Sequence, residues 1–204
     1  MTNDQVTAIR ESFDARAPEY DRNAMHRALA VSVARFARVP DDGTVVDVAT
    51  GTGLASRELV RLHPRVRVTG VDISSGMLAV AREAFPHAEW IEADATQLPV
   101  ATASTDLVLC VTALHLFAEP QRAIAEWARA LRPSGRVVTA TFVSGGHHAP
   151  HCEPCSVPYT RDHASFATPE RLRALYAPIG LHVDRLATWV RADDRVLIAE
   201  AVRV

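Results

Sequence analysis

The chain has 204 residues, 48% of them hydrophobic, which is enough to bury the core of one ordinary domain. Its formal net charge of -2 gives no electrostatic reason to bind a nucleic acid, so we expect a small or neutral ligand. All 22 basic residues are arginine, which excludes lysine Schiff-base chemistry and a P-loop lysine. We interpret this bias, with the abundant alanine and valine, as the codon usage of a GC-rich bacterial genome.

The N-terminal segment, residues 1–40, is charged and amphipathic and carries no apolar signal core. No apolar run is long enough to span a bilayer, so we expect a cytoplasmic protein without membrane contact. The three cysteines, Cys110, Cys152 and Cys155, suit reduced thiols or a metal site better than a disulfide framework. We expect a single domain over residues 1–204, present as a monomer or a homodimer.

Five short runs rich in β-branched residues predict strands between residues 44 and 142. The runs are mostly continuous, which is typical of strands that are covered on both faces. Segments between them place apolar residues at helical spacing, with arginine and glutamate on the other face. The predicted strands are 44–49, 66–72, 88–94, 105–111 and 135–142, and the predicted helices are 54–63, 75–85 and 120–132. This alternation of strand and helix predicts a parallel sheet.

The C-terminal part follows a different pattern. Residues 168–179 begin with a Thr168 cap and with Pro169 at the first helical position, and they end before Gly180, so they predict a helix. Residues 180–204 predict two strands around the tetrapeptide 191–194, which is typical of an antiparallel hairpin. The predicted fold class is therefore α/β, with a mostly parallel seven-stranded sheet that ends in a C-terminal antiparallel hairpin.

A glycine turn follows the first predicted strand, where Gly51 and Gly53 precede a helix. Without a Cβ, the backbone of such a turn can approach a ligand that faces the helix N-terminus. The next strand ends in Asp72, whose carboxylate can bind both hydroxyls of a ribose. The third strand ends in Asp94, which can accept a hydrogen bond from an adenine amino group. Asp47 lies within the first strand, where a carboxylate is costly unless it has a hydrogen-bond partner or a polar ligand. These residues predict an adenosine-type ligand; a plain tight turn with surface acids is the alternative.

The segments VVDVATGTG, VTGVDISSGML, EADATQLPV, TDLVLCVTALHLF and WARALRPSGRVV occur in this order, roughly over residues 47–142. Together they closely resemble the class I S-adenosylmethionine-dependent methyltransferases. The likeness is strongest to the small-molecule branch that includes ubiquinone/menaquinone-type methylases. The resemblance implies a Rossmann-like three-layer sandwich, S-adenosylmethionine as the cofactor, and methyl transfer to a small-molecule acceptor in a biosynthetic pathway.

The resemblance also implies a set of cofactor-binding residues, grouped by the part of the cofactor that they hold. Asp47, Gly51 and Gly53 surround the methionine part. Asp72 binds the ribose, and Asp94 and Ala95 bind the adenine. The other implied cofactor residues are Ala49, Ile73, Met77 and Cys110. Ala49 stands where the family usually has its first glycine, a small-for-small change that tightens the turn.

Two other functions fit parts of the same pattern. Nicotinamide enzymes use a similar turn, but their motif needs a third glycine for close helix packing, and this chain has Ser56 there. An NAD(P)-dependent reductase is therefore the first alternative. A catalytically inactive module that binds the cofactor without turnover is the second.

His115 and Tyr20 are the candidate catalytic residues. The resemblance implies that His115, in the segment ALHLF after the fourth strand, lies beside the methyl-transfer crevice, where imidazole can accept a proton near neutral pH. Packing at a strand-to-helix junction is the alternative for this histidine. Tyr20 belongs to residues 12–21, SFDARAPEYD, which resemble the lid segment of that branch, so we expect the N-terminal helices to close over the cofactor. A surface helix whose tyrosine packs on the body explains the same residues.

The segment 143–166 follows the fifth strand and is rich in glycine, proline, histidine and cysteine. Within nine positions it places five imidazole or thiol side chains of the kind that bind zinc, namely His147, His148, His151, Cys152 and Cys155. The segment predicts a substrate loop, and a divalent metal (zinc or iron) is one interpretation of its side chains, with His163 as a further ligand. There are two alternatives: a polar loop without metal, and a thiol site formed by Cys152 and Cys155 together with Cys110.

Overall fold

The computed structural model describes residues 3–143 and 157–204. Two helices, α1 (Asn3–Tyr20) and α2 (Ala24–Phe36), precede the sheet. The strands are β1 (Thr44–Val48), β2 (Arg67–Asp72), β3 (Glu89–Glu92), β4 (Thr105–Val111), β5 (Leu131–Phe142), β6 (Leu181–Arg191) and β7 (Asp194–Arg203). The remaining helices are α3 (Leu54–Leu62), α4 (Ser75–Ala84), α5 (Pro120–Ala130) and α6 (Pro169–Tyr176).

The strands form one sheet in the order β3-β2-β1-β4-β5-β7-β6. Strands β1 to β5 pair in parallel, and β7 is antiparallel to both β5 and β6. This arrangement confirms the mostly parallel seven-stranded sheet with a C-terminal antiparallel hairpin. The strand order reverses between β1 and β4, and in open α/β sheets ligands bind outside the carboxyl ends of the strands at that point.

Helices cover both faces of the sheet. On one face, α2 and α3 bury Leu29 and Leu59 against strand residues such as Leu109. On the other face, α5 and α6 bury Trp127 and Leu172. The three-layer arrangement that the sequence predicts is therefore confirmed.

Capping residues define where two of the helices begin. The side chain of Asn23 accepts hydrogen bonds from the N–H groups of Met25 and His26 and so starts α2. Thr168 caps α6 as predicted. That helix continues into a short 3₁₀ turn and ends at Gly180, whose φ of +75° is a left-handed conformation that suits glycine.

Strand β5 begins at Leu131, where the sequence predicts the last turn of a helix. Leu131 pairs with Thr105, and the register then shifts, so that Leu107 pairs with Arg136. Ser134, between the two pairings, has a φ of +62°. The local helical spacing does not reveal this pairing because the partner strand is more than twenty residues away.

A charged side chain is buried near the far edge of the sheet. Glu200 of β7 is 0% exposed, and its carboxylate accepts hydrogen bonds from Arg136 (2.9 Å) and Arg185 (3.4 Å). It also accepts from the backbone N–H of Arg38, just after α2, at 3.3 Å. This network joins the end of α2 to strands β5, β6 and β7.

Candidate functional site

A cavity of about 470 Å³ opens at the carboxyl ends of β1, β2, β3 and β4. It is lined by the loops that follow these strands and by helices α1 and α2. Eight residues that the sequence predicts for the site line it, namely Tyr20, Asp47, Ala49, Gly51, Asp72, Ile73, Asp94 and Ala95. The fold therefore brings most of the predicted cofactor residues, which span nearly fifty positions of the sequence, to one cavity.

Asp72 ties the glycine turn to the end of β2. One carboxylate oxygen accepts from the backbone N–H of Gly51 at 2.8 Å, and the other accepts from the N–H of Ser74 at 2.9 Å. Burial raises the pKa of Asp72 above its ordinary value, and these two backbone hydrogen bonds oppose that shift. Each oxygen keeps a further lone pair, so the carboxylate can also accept from a diol.

Asp47 is buried at 1% exposure, and side chains of the protein provide the hydrogen-bond partners that the sequence predicts for it. Its Oδ2 accepts hydrogen bonds from the hydroxyls of Thr50 (2.8 Å) and Ser56 (2.6 Å). Burial nevertheless raises the pKa of Asp47 to about 6. Ser56, which stands in place of a third glycine, thus has a role that the glycine motif alone does not predict.

The turn after β1 has a left-handed backbone at three positions. Ala49 has a φ of +52°, Gly51 of +58° and Gly53 of +77°. A residue with a Cβ pays a steric cost in this conformation, and Ala49 therefore holds the turn under strain. Strain of this kind is concentrated at functional sites, and Thr112, which lines the cavity after β4, also has a positive φ of +54°.

Gly53 has a packing role that the sequence does not indicate. A Cβ at Gly53 would lie 2.4 Å from the indole of Trp90, and one at Gly70 would lie 2.3 Å from the same ring. The indole of Trp90 in β3 therefore occupies the space that both glycines leave open. Among the described residues, Gly53 is not part of the cavity lining.

Met77 and Cys110 are fully buried and also lie outside the described lining of the cavity. Cys110 belongs to the apolar cluster on the α5 side of the sheet, and burial raises the pKa of its thiol above the usual range. Cys110 therefore packs as a small buried hydrophobic side chain rather than as a reactive thiol. The assignment of Gly53, Met77 and Cys110 as cofactor contacts stays a prediction.

The cavity has an acidic lining. Among the described lining residues, four are acidic and one is basic, namely Asp47, Asp72, Asp94, Glu119 and Arg122. Carboxylates in a confined space favour a cation and oppose an anion. The lining therefore suits a sulfonium better than a dinucleotide pyrophosphate.

Helix α1 covers the cavity with apolar side chains, Val6, Ile9 and Phe13, and with Tyr20 at its end. The Tyr20 hydroxyl lies within hydrogen-bonding reach of Thr112. Burial raises the pKa of Tyr20 to about 12, so the hydroxyl is protonated at neutral pH.

Two carboxylates hold α1 against the body of the domain. Asp14 accepts from the hydroxyl of Ser74 (2.6 Å) and from the N–H of Gly76 (2.8 Å), both at the start of α4. Asp21 accepts from the hydroxyl of Thr52 at 2.5 Å and pairs with Arg57 of α3. We call helix α1 with these two anchors the lid.

His115 lies in a 3₁₀ turn at 114–116 and is not part of the described lining of the cavity. Its ring stacks on that of His163, with centroids 4.1 Å apart, and meets the ring of Phe142 edge-on at 6.0 Å. This position favours the packing role, and the role of His115 as a base stays a prediction.

The predicted metal ligands His147, His148, His151, Cys152 and Cys155 lie outside the described residues. Over 3–143 and 157–204, no cluster of three His, Cys, Asp or Glu side chains is arranged to hold a metal ion. The same two ranges contain no helix with both the length and the apolar character that a membrane crossing requires.

Comparison with known proteins agrees with the site. Residues 46–139 match the family model described as "Methyltransferase domain". The chain is 34% identical over 139 residues to the malonyl-[acyl-carrier protein] O-methyltransferase of Hahella chejuensis, covering 67% of this chain and 50% of that protein. It is 34% identical over 151 residues to the demethylmenaquinone methyltransferase of Deinococcus radiodurans, covering 68% and 62%. The chain thus spans about half to two thirds of the length of these curated relatives.

The fold also matches a solved structure along its whole length. The crystal structure of magnesium protoporphyrin IX methyltransferase from Synechocystis, with S-adenosylmethionine bound, superposes with a TM-score of 0.74. The match covers 98% of both chains at 18% identity, so it establishes the Rossmann-like fold alone. With its methyltransferase domain, its similarity to two methyltransferases and its acidic cavity at the strand ends, the chain belongs to the class I S-adenosylmethionine-dependent methyltransferases.

Proposed function

We propose that this protein transfers the methyl group of S-adenosylmethionine to a small-molecule acceptor by in-line displacement. The observation that carries the proposal is the acidic cavity, with four carboxylates against one arginine in its described lining. A sulfonium cation is favoured in such a lining, whereas the pyrophosphate of NAD(P) is opposed. The same charge balance makes the nicotinamide reductase the weaker alternative.

The residues of the cavity fit the proposed cofactor. When bound, S-adenosylmethionine supplies an electrophilic methyl group. The carboxylate of Asp72 is held by two backbone N–H groups in a fixed orientation, with lone pairs left for a ribose diol. Gly51 leaves the turn open, since the nearest atom to a Cβ built there is a Tyr20 ring carbon at 4.0 Å.

The lid then supplies the environment for transfer. Its apolar side chains Val6, Ile9 and Phe13 exclude water from the reacting groups, and the Tyr20 hydroxyl stays neutral beside Thr112. Methyl transfer needs alignment of donor and nucleophile more than it needs a strong base. A small, neutral acceptor therefore fits the lining, with the acceptor atom (O, N, C or S) left to assay.

The segment 143–166 is the part of the chain that we assign to the methyl acceptor. We infer from the sequence that it shapes the acceptor pocket. Zinc or iron, acting as a Lewis acid for a chelating acceptor, is one interpretation of His147, His148, His151, Cys152 and Cys155, and a polar loop without metal is the other. Elemental analysis of the purified protein tests this. One equivalent of metal that disappears in a Cys152→Ser, Cys155→Ser double variant supports the metal, whereas metal-free protein with full activity contradicts it.

Calorimetric titration with S-adenosylmethionine, S-adenosylhomocysteine and NADH tests the cofactor. We expect binding of the first two alone, and about 10- to 100-fold weaker binding in Asp72→Ala, because hydrogen bonds to a charged group are lost. Asp42→Ala is the matched control, since Asp42 is exposed and pairs only with Arg65 among the described residues. Binding of NADH alone would contradict the proposal.

A methyl-labelled cofactor separates an enzyme from an inactive binding module. Labelled product from a small-molecule extract of cells supports turnover. Tight binding without labelled product in a broad screen favours the inactive module. The oligomeric state, a monomer or a homodimer, follows from sedimentation of the same sample.

A further inference from the structure

His26 is a polar side chain of the cavity that neither the motifs nor the family resemblance indicates. The Asn23 cap places it in the first turn of α2, where it lines the cavity. Its ring stacks on the ring of Tyr20, with centroids 4.6 Å apart and planes at 28°. The stack joins the first turn of α2 to the last residue of the lid.

The imidazole has hydrogen-bonding capacity that the described residues do not use. Its Nδ1 is shielded from solvent and has no hydrogen-bond partner among them. Leaving such a nitrogen unsatisfied costs free energy that a ligand can recover. A half-turn about Cβ–Cγ changes which ring atoms face the cavity while it keeps the ring plane on Tyr20.

The charge state of the ring limits what it can do. Burial and the nearby guanidinium of Arg16 lower the pKa of His26 to about 4, against the opposing effect of Asp21. The ring is therefore neutral at physiological pH, with one nitrogen that accepts and one that donates. A base this weak does not become protonated at neutral pH, so the ring contributes to ligand binding through a hydrogen bond.

Apolar residues of the helices line the cavity beside His26. The nearby lining residues of α2 and α3 are Leu29, Ala30, Leu54 and Ala55, and the lid adds Val6, Ile9 and Phe13. A charged group against these side chains would lose its hydration, and the two charged side chains near His26, Arg16 and Asp21, lie outside the described lining. The ligand portion that lies here is therefore neutral and mostly apolar.

We propose that His26 selects the methyl acceptor: its imidazole accepts a hydrogen bond from the O–H or N–H of a neutral, mostly apolar acceptor lying against α2 and the lid. The inference rests on the proposed function, because it assigns the acceptor side of the same cavity. Pairing a buried polar group of the site is an effective way to discriminate between acceptors that differ by one donor.

Two variants separate the hydrogen bond from packing. His26→Phe keeps an aromatic ring to stack on Tyr20 and loses the acceptor nitrogen. His26→Asn keeps a hydrogen-bond acceptor in a shorter side chain. The probes are 2-naphthol with 2-methoxynaphthalene and indole with 1-methylindole, in which each pair differs by methyl capping of the donor. Binding is measured by calorimetry on protein saturated with S-adenosylhomocysteine.

In the wild type we expect the donor form of at least one pair to bind about 3- to 10-fold more tightly than its capped partner, the range of one neutral hydrogen bond. His26→Phe should reduce this preference to within about twofold, and His26→Asn should keep part of it. Equal binding of both forms in the wild type, or a preference that survives in His26→Phe, overturns the proposal.

The cofactor titration distinguishes the proposed function from the role of His26. Failure of the wild type to bind S-adenosylhomocysteine overturns the proposed function, whereas normal binding with no role for His26 overturns this inference alone. A measurement on the wild type needs no variant: the ring ¹⁵N resonance of His26 should shift with the donor form of the pair that shows the preference and not with its capped partner. An unchanged resonance with both probes also overturns the inference.

Discussion

The carboxylate of Asp14 and the hydroxyl of Ser74 lie 2.6 Å apart, and the backbone N–H of Ser74 binds Asp72. One residue therefore connects the lid to the acid proposed to hold the ribose. We expect Asp14→Ala to speed release of S-adenosylhomocysteine about tenfold, because α1 loses two hydrogen bonds to its charged anchor. Stopped-flow dissociation measures this rate. Asp4→Ala, an exposed change in the same helix, should leave it unchanged, and equal rates in both variants would contradict the anchor.

The buried carboxylate of Asp47 makes stability depend on pH. Its pKa of about 6 in the folded protein lies above the ordinary value of 3.8, so protonation favours the folded state. The stability that it contributes is present below about pH 4 and is lost as the pH rises through 6. We therefore expect ligand-free Asp47→Asn to be more stable than the wild type at pH 8, by up to about 3 kcal/mol. The difference should vanish near pH 4.

Urea unfolding at pH 4, 6 and 8 provides the comparison for Asp47→Asn. Cofactor affinity should fall in the same variant, since the cavity loses one negative charge facing the proposed cation. A stability difference that does not change with pH would contradict the shifted pKa.

The strained turn offers a substitution toward higher stability. Ala49 has a φ of +52°, and replacement by glycine removes the clash of its Cβ, so we expect Ala49→Gly to stabilise the fold by about 1 kcal/mol. Ala103→Gly is the matched control, because Ala103 has the same φ in an exposed position that is not part of the described cavity lining. Both variants should gain stability in urea unfolding, and only Ala49→Gly should alter cofactor affinity. Loss of stability in Ala49→Gly would show that the turn is not strained.

Disrupting the network around Glu200 should lower the stability of the fold and leave the cavity intact. Glu200→Ala removes the common partner of Arg136 and Arg185, and we expect a loss of about 3 kcal/mol. This is the lower end for a broken buried pair, because the arginines remain partly exposed. Asp41→Ala, at an exposed pair with Arg65, should cost almost nothing. Cofactor affinity that falls as far as stability would contradict the separation of network and cavity.

The features that follow local rules could be predicted from the sequence. The continuous apolar strands, the glycine turn after β1 and the acid at the end of β2 have short-range patterns, and the structure brings Gly51 and Asp72 within hydrogen-bonding distance. The C-terminal hairpin around 191–194 follows the same logic. Where the pattern is local and the element is buried, composition and spacing carry most of the information.

The features that depend on distant partners could not be predicted. The anchor of Asp14 on Ser74 joins residues 60 positions apart, and the early start of β5 depends on pairing with Thr105. His26 is an ordinary residue of an amphipathic helix until α2 is packed beside the lid. His115, in contrast, stands at a position that the resemblance favours, yet its ring lies against His163.

The indole of Trp90 occupies space that a side chain at either Gly53 or Gly70 would need. The three residues come from a loop and two strands, yet the side chain of one fills the space beside the backbone of the other two. A substitution at any one of them is therefore conditional on the other two. Alanine at Gly70 should be tolerated only where residue 90 is smaller than tryptophan, so natural variation at these three positions should be correlated.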